Sequence, residues 1–134
     1  FEPKTFQQAA GLICIYDTQN YYYIKVTNYE NVGKCVTVCT SINDDYKELS
    51  SQVFPLKENG CYLKAELEYD KLYLAYSFDG KQWNRINETF DLTTLSDEAC
   101  NEGSFTGAFV GICAQDVAGT KIAADFDYFE YQTK

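Results

Sequence analysis

Apolar and polar side chains alternate along most of this chain. Residues 61–69 put Cys61, Leu63, Ala65, Leu67 and Tyr69 on one face and Tyr62, Lys64, Glu66 and Glu68 on the other. A period of two predicts a half-buried strand. Residues 72–78 repeat it, with Leu72, Leu74, Tyr76 and Phe78 inward and Tyr73, Ala75 and Ser77 outward. Asp79-Gly80 then predicts a hairpin turn, because glycine accepts the positive φ such turns need, and 82–87 return the chain. Further strands are predicted at 9–16, 21–28, 34–42, 51–55, 105–114 and 121–131. The stretch 88–104 is the one long irregular segment, of the kind that often carries function, with a short helical turn expected around Thr93–Glu98. Many short strands separated by turns predict one domain over 1–134, an all-β antiparallel sandwich of jelly-roll type.

Composition agrees and removes several classes of function. Twelve Tyr and nine Phe against two Pro suit strands. A net charge of −9 argues against nucleic acid and anionic membrane surfaces, which call for clustered Lys and Arg, and leaves a neutral polysaccharide as a fitting partner. No apolar run approaches the ~20 residues of a membrane span. There is no His, so neither a Ser-His-Asp nor a Cys-His nucleophile can be assembled, and zinc spacing is missing. The six cysteines, Cys14, Cys35, Cys39, Cys61, Cys100 and Cys113, mostly sit in apolar alternating runs. They are expected to be free, buried thiols, which favours a cytoplasmic protein.

Three groups of residues carry candidate chemistry. Tyr21 and Tyr23 face away from the core if Tyr22, Ile24 and Val26 face it. With Tyr62 and Tyr73 on the polar faces of other strands, they form a candidate aromatic platform for a glycan. Ser77-Phe78-Asp79-Gly80-Lys81-Gln82-Trp83 resembles the S-x-D-G-x-x-W hairpin of many concanavalin A-like domains; Trp83 either packs over its hairpin or stacks on sugar. Asp125-x-Asp127-x-x-Glu130 loosely resembles the E-x-D-x-x-E signature of family 16 glycosidases and is the candidate for a small glycosidase built on paired carboxylates. No cofactor is called for; a calcium ion on Asp125 or Asp127 is a weak signal, since no compact run of alternating acidic ligands is present. Asn87-Glu88-Thr89 matches a glycosylation sequon, without meaning in a cytoplasmic protein.

Five blocks, in order, resemble the C-terminal module of family 43 glycoside hydrolases of the β-xylosidase type. They are Phe6-Gln7-Gln8-Ala9-Ala10-Gly11-Leu12 running on through Tyr16-Asp17-Thr18-Gln19-Asn20-Tyr21-Tyr22-Tyr23; Tyr76-Ser77-Phe78-Asp79-Gly80 with Trp83; Leu95-Ser96-Asp97-Glu98; Phe105–Asp116; and Ala124-Asp125-Phe126-Asp127. The resemblance implies a concanavalin A-like sandwich packed against a five-bladed catalytic propeller in an inverting β-xylosidase, some members also having α-L-arabinofuranosidase activity. It implies a non-catalytic role for this chain: buttressing the propeller, shaping the substrate pocket through a loop Phe (Phe105, with Phe109 second), and contacting xylan or xylo-oligosaccharides. The family module begins several strands before the F-Q-Q segment, so N-terminal strands are expected to be missing here. A free-standing carbohydrate-binding module using Tyr21, Tyr23, Tyr62, Tyr73 or Trp83, and a small glycosidase, stand as alternatives. Gly107 and Gly111 are expected to permit close backbone approach.

Overall fold

The computed structural model describes residues 1–95 and 108–132. Eight strands form two antiparallel sheets. The larger contains β1 (Gln8–Asp17), β2 (Asn20–Tyr29), β3 (Gly33–Ile42), β4 (Asp45–Pro55) and β8 (Phe109–Asp116), in the order β4-β3-β2-β1-β8. The smaller is β5 (Tyr62–Glu68), β6 (Lys71–Ser77) and β7 (Asn84–Asp91), in that order. A single 3-10 turn at Leu92–Thr94 follows β7, where the Asp91 carboxylate accepts from the Thr93 N–H at 2.9 Å.

The core lies between the inner faces. Ile24, Val36 and Val38 of the larger sheet meet Leu72, Leu74, Ile86 and Phe90 of the smaller. Aromatic pairs tie the layers together: Tyr22 with Phe90 at 5.0 Å between ring centres, and Phe54 with Tyr76 at 4.8 Å. Gly11 is where the larger sheet is tightest. A Cβ there would stand 2.1 Å from the Ile24 carbonyl oxygen and 2.6 Å from the Lys25 Cα, so only glycine lets β1 press onto β2 at this point.

The structure departs from the pattern in several places. The strand expected at 51–55 begins already at Asp45, and β7 runs to Asp91, into the stretch 88–104 expected to be irregular, because Thr89, Phe90 and Asp91 find ladder partners on β6. Tyr69 is fully exposed rather than inward. It has φ +57° and forms the two-residue turn with Asp70 between β5 and β6, so the alternation ends at Glu68. Close backbone approach falls at Gly11, not Gly111, where a Cβ would meet nothing within 4 Å; Gly107 lies outside the described residues. Residues 121–131 form no strand, and Phe126, Tyr128, Phe129 and Tyr131 are exposed. Alternation specifies which side chains share a face, but a strand also needs a neighbouring edge for its N–H and C=O groups. Among the described residues, no ladder joins this segment to either sheet.

Candidate functional site

The candidate aromatic residues divide between the two outer surfaces of the sandwich. Tyr21 and Tyr23, on β2, belong to the outer face of the larger sheet; Tyr62, Tyr73 and Trp83 belong to that of the smaller. They do not form one platform.

On the larger sheet the polar groups are spent on one another. Tyr23 is 2% exposed, and its hydroxyl donates to the Cys113 carbonyl at 3.2 Å. That carbonyl belongs to the register partner of Gly11, whose missing side chain lets the ring pass over β1 to β8. Next to it, Lys25 donates to Glu48 Oε1 at 2.8 Å, with side-chain exposures of 4% for the lysine and 35% for the glutamate. The Tyr46 hydroxyl donates to the same oxygen, and Tyr29 donates to Oε2 at 2.7 Å. Burial opposes the Glu48 charge, but these donors and the Lys25 ammonium outweigh it and hold the carboxyl below its usual range. Tyr29 and Tyr46 are pushed above the ordinary phenol value, by burial first and then by the bond each gives to the carboxylate. Sequence reasoning missed this hub. The available signal was Lys25 within the apolar and aromatic run Tyr21–Val26 of β2.

The smaller sheet presents a different arrangement. Ala75 sits at the centre of its outer face, 1% exposed, with Lys64 opposite it on β5 and Arg85 opposite it on β7. The long stems of these cations flank the small residue and diverge. The Lys64 ammonium stands 4.1 Å over the Trp83 ring, and the Arg85 guanidinium 4.2 Å over Tyr73. Glu66 lies between them, 3.2 Å from Lys64 and 3.6 Å from Arg85. Trp83 is 36% exposed at the end of the predicted hairpin, whose turn is held internally. The Asp79 carboxylate accepts from the N–H groups of Lys81 and Gln82, which lowers its pKa, and the Ser77 hydroxyl accepts from Gly80 N–H. Gly80 has φ +77°, and a Cβ on it would stand 3.1 Å from the Tyr62 ring, so both the turn and the Tyr62 packing require glycine.

The other candidates lie elsewhere. Phe105 and Cys100 fall outside the described residues. Phe109 opens β8 and is 58% exposed. Asp125, Asp127 and Glu130 lie exposed in the unpaired segment after β8. Two shallow clefts open elsewhere: one of about 320 Å³ beside Asp70, Lys71, Thr89 and Thr93, and one of about 260 Å³ between Asp45, Lys47, Leu49, Glu88 and Asp91. Five cysteines are free: Cys14, Cys35, Cys39, Cys61 and Cys113. Burial raises the thiols of Cys35 and Cys39 and pushes those of Cys14 and Cys61 up to about 11, opposite to what a thiolate nucleophile needs.

Two facing antiparallel sheets with these register relations define a concanavalin A-like sandwich. Residues 1–132 match the family of the β-xylosidase C-terminal concanavalin A-like domain, and the chain belongs to that family. A β-xylosidase of Bacillus subtilis (strain 168) is 39% identical over 137 residues, covering 100% of this chain and 26% of the relative. A xylan 1,3-β-xylosidase of a Vibrio species is 36% identical, covering 98% and 25%. The crystal structure of a xylan β-1,4-xylosidase from Bacillus halodurans superposes with a TM-score of 0.85 at 36% identity, covering 90% of this chain and 24% of that one. The chain thus spans about a quarter of the length of the relatives it matches.

Proposed function

We propose that this chain is a non-catalytic accessory module of a β-xylosidase-like glycoside hydrolase. It buttresses the catalytic propeller and shapes the substrate pocket through Phe105. It also contacts xylan or xylo-oligosaccharides weakly, and the parent enzyme removes β-linked xylose, with α-L-arabinofuranosidase activity as a secondary capacity. One observation carries the reading: the whole chain matches the C-terminal domain of β-xylosidases while covering only about a quarter of such proteins. The commitment of Glu48 to Lys25, Tyr46 and Tyr29 supports a non-catalytic role for the larger sheet. The free thiols support a reducing, cytoplasmic setting.

The test is substitution inside the full-length parent. Phe105→Ala is expected to lower kcat/KM for xylobiose about tenfold or more with the fold intact, as loss of a pocket wall does. Unchanged kinetics would remove the pocket-shaping role. The isolated chain is expected to turn over no xylo-oligosaccharide, and turnover abolished by Asp127→Asn would restore the small-glycosidase reading.

A further inference from the structure

We propose that the outer face of β5, β6 and β7 is a binding site for a carboxylate-bearing oligosaccharide, with Arg85 taking the carboxylate and Trp83 and Tyr73 flanking the sugar. The identity of the sugar backbone, xylose, rests on the function proposed above; the demand for a carboxylate does not.

The contrast between the two outer faces carries the argument. On the larger sheet the cation is 4% exposed and committed to Glu48 at hydrogen-bonding distance, beneath two tyrosines committed to the same carboxylate. On the smaller sheet Arg85 has a side chain 51% exposed, and its contact with Glu66 is 3.6 Å, longer than a good hydrogen bond. Its guanidinium is held 4.2 Å over the Tyr73 ring, and no hydrogen bond among the described residues claims its N–H donors. An oriented guanidinium with free donors is the group that fits a planar carboxylate through two parallel bonds. Glu66 is held the closer by Lys64, at 3.2 Å.

Charge and shape point the same way. The chain carries −9 overall, yet Lys64 and Arg85 outnumber Glu66 at the centre of this face. A carboxylate ligand is therefore repelled by the protein in general and favoured here. Trp83 and Tyr62, exposed to 36% and 38%, lie at the Ser77 end of this face, and Tyr73 lies on the other side of the row formed by Lys64, Ala75 and Arg85. A neutral sugar would gain the aromatic contact but leave the guanidinium unused. A free carboxylate would gain the ion pair but none of the exposed surface of Trp83 and Tyr62. A uronate-substituted oligosaccharide uses both.

The experiment is calorimetric titration of the purified chain, its fold checked by circular dichroism, with three probes. These are a xylotriose carrying one glucuronic acid, linear xylohexaose, and glucuronate alone. The acidic oligosaccharide is expected to bind at least tenfold more tightly than either control and to weaken as salt is raised. Arg85→Lys keeps the charge but loses the fork and the stack, and is expected to weaken that binding about tenfold. Lys57→Gln, an exposed cation elsewhere, serves as the control and is expected to leave it unchanged. Equal affinity for acidic and neutral sugars, or indifference to Arg85→Lys in a folded variant, overturns the proposal. Xylohexaose binding that survives Arg85→Lys would sink this site while leaving the module's xylan contact standing. Acidic-sugar binding without any for xylohexaose would do the reverse. If no sugar binds, the site fails and an acidic protein surface becomes the better occupant.

Discussion

Replacing Glu48 by Gln removes one negative charge while nearly keeping the shape of the hub. The amide oxygen can still accept from Lys25 and Tyr46, and its nitrogen can donate to the Tyr29 hydroxyl, so the hydrogen bonds persist in number. What disappears is the counter-charge of an ammonium that is only 4% exposed. Breaking a fully buried pair from one side costs about 3–5 kcal/mol, whereas exposed pairs contribute about 0–1. Glu48 is one-third exposed, which places Glu48→Gln between these limits, at about 2–3 kcal/mol. For a domain of this size each kcal/mol moves Tm by roughly 3–5 °C, so a fall of about 6–15 °C is expected. Calorimetric or circular-dichroism melts at neutral pH provide the assay, with Asp45→Asn, at a pair exposed to 67% and 68%, as the surface control expected to cost under about 1 kcal/mol. Removing both charges with Lys25→Met and Glu48→Gln should recover much of the loss, since no charge is then left unpaired. The Glu48 carboxyl has a lower pKa folded than unfolded, so its contribution is present above the ordinary carboxyl value and is lost as pH falls through the folded value. Wild type and Glu48→Gln should therefore converge in acid. A Glu48→Gln variant that melts with the Asp45→Asn control, or a gap that persists in acid, would refute the reasoning.

Gly11→Ala should cost at least about 1–3 kcal/mol in urea titrations, because its Cβ would overlap the Ile24 carbonyl; a neutral result would mean β1 can lift off β2 freely. Leu72→Ala, at a fully buried site between the sheets, should cost about 2–5 kcal/mol by the same assay. In an alkaline titration read by phenolate absorbance, Tyr23, Tyr29 and Tyr46 should ionise only as the fold is lost. Their folded pKa values are raised, so the stability they contribute is complete below the ordinary phenol value and declines as pH rises beyond it; ionisation of all the tyrosines in a folded sample would contradict their burial.

Much of the fold was legible because strand periodicity is a local property. Leu63 and Ala65 of β5, and Leu72, Leu74 and Tyr76 of β6, face the core as alternation required. The Asp79-Gly80 turn could likewise be read from residue types with fixed backbone preferences, whereas the helical turn expected around Thr93–Glu98 is a 3-10 turn at Leu92–Thr94, with 96–98 outside the described residues. The family was legible as well, since five ordered blocks of residues carry it. Pairing was not legible. The segment 121–131 alternates as well as any strand, yet a strand exists only where a partner edge is present, and that depends on the whole sheet order. Nor could alternation reveal that Tyr21 and Tyr23 lie on the opposite side of the sandwich from Tyr62, Tyr73 and Trp83, because period two says "outward" without saying which outside. Only tertiary structure brought Lys25 across β3 to Glu48, and let Tyr23 pass over Gly11 to β8. The sequence by itself determined which residues turn inward and where the chain reverses. The packing of two sheets decided which outward residues meet, and so why Lys25 is buried against Glu48 while Arg85 stays half-exposed.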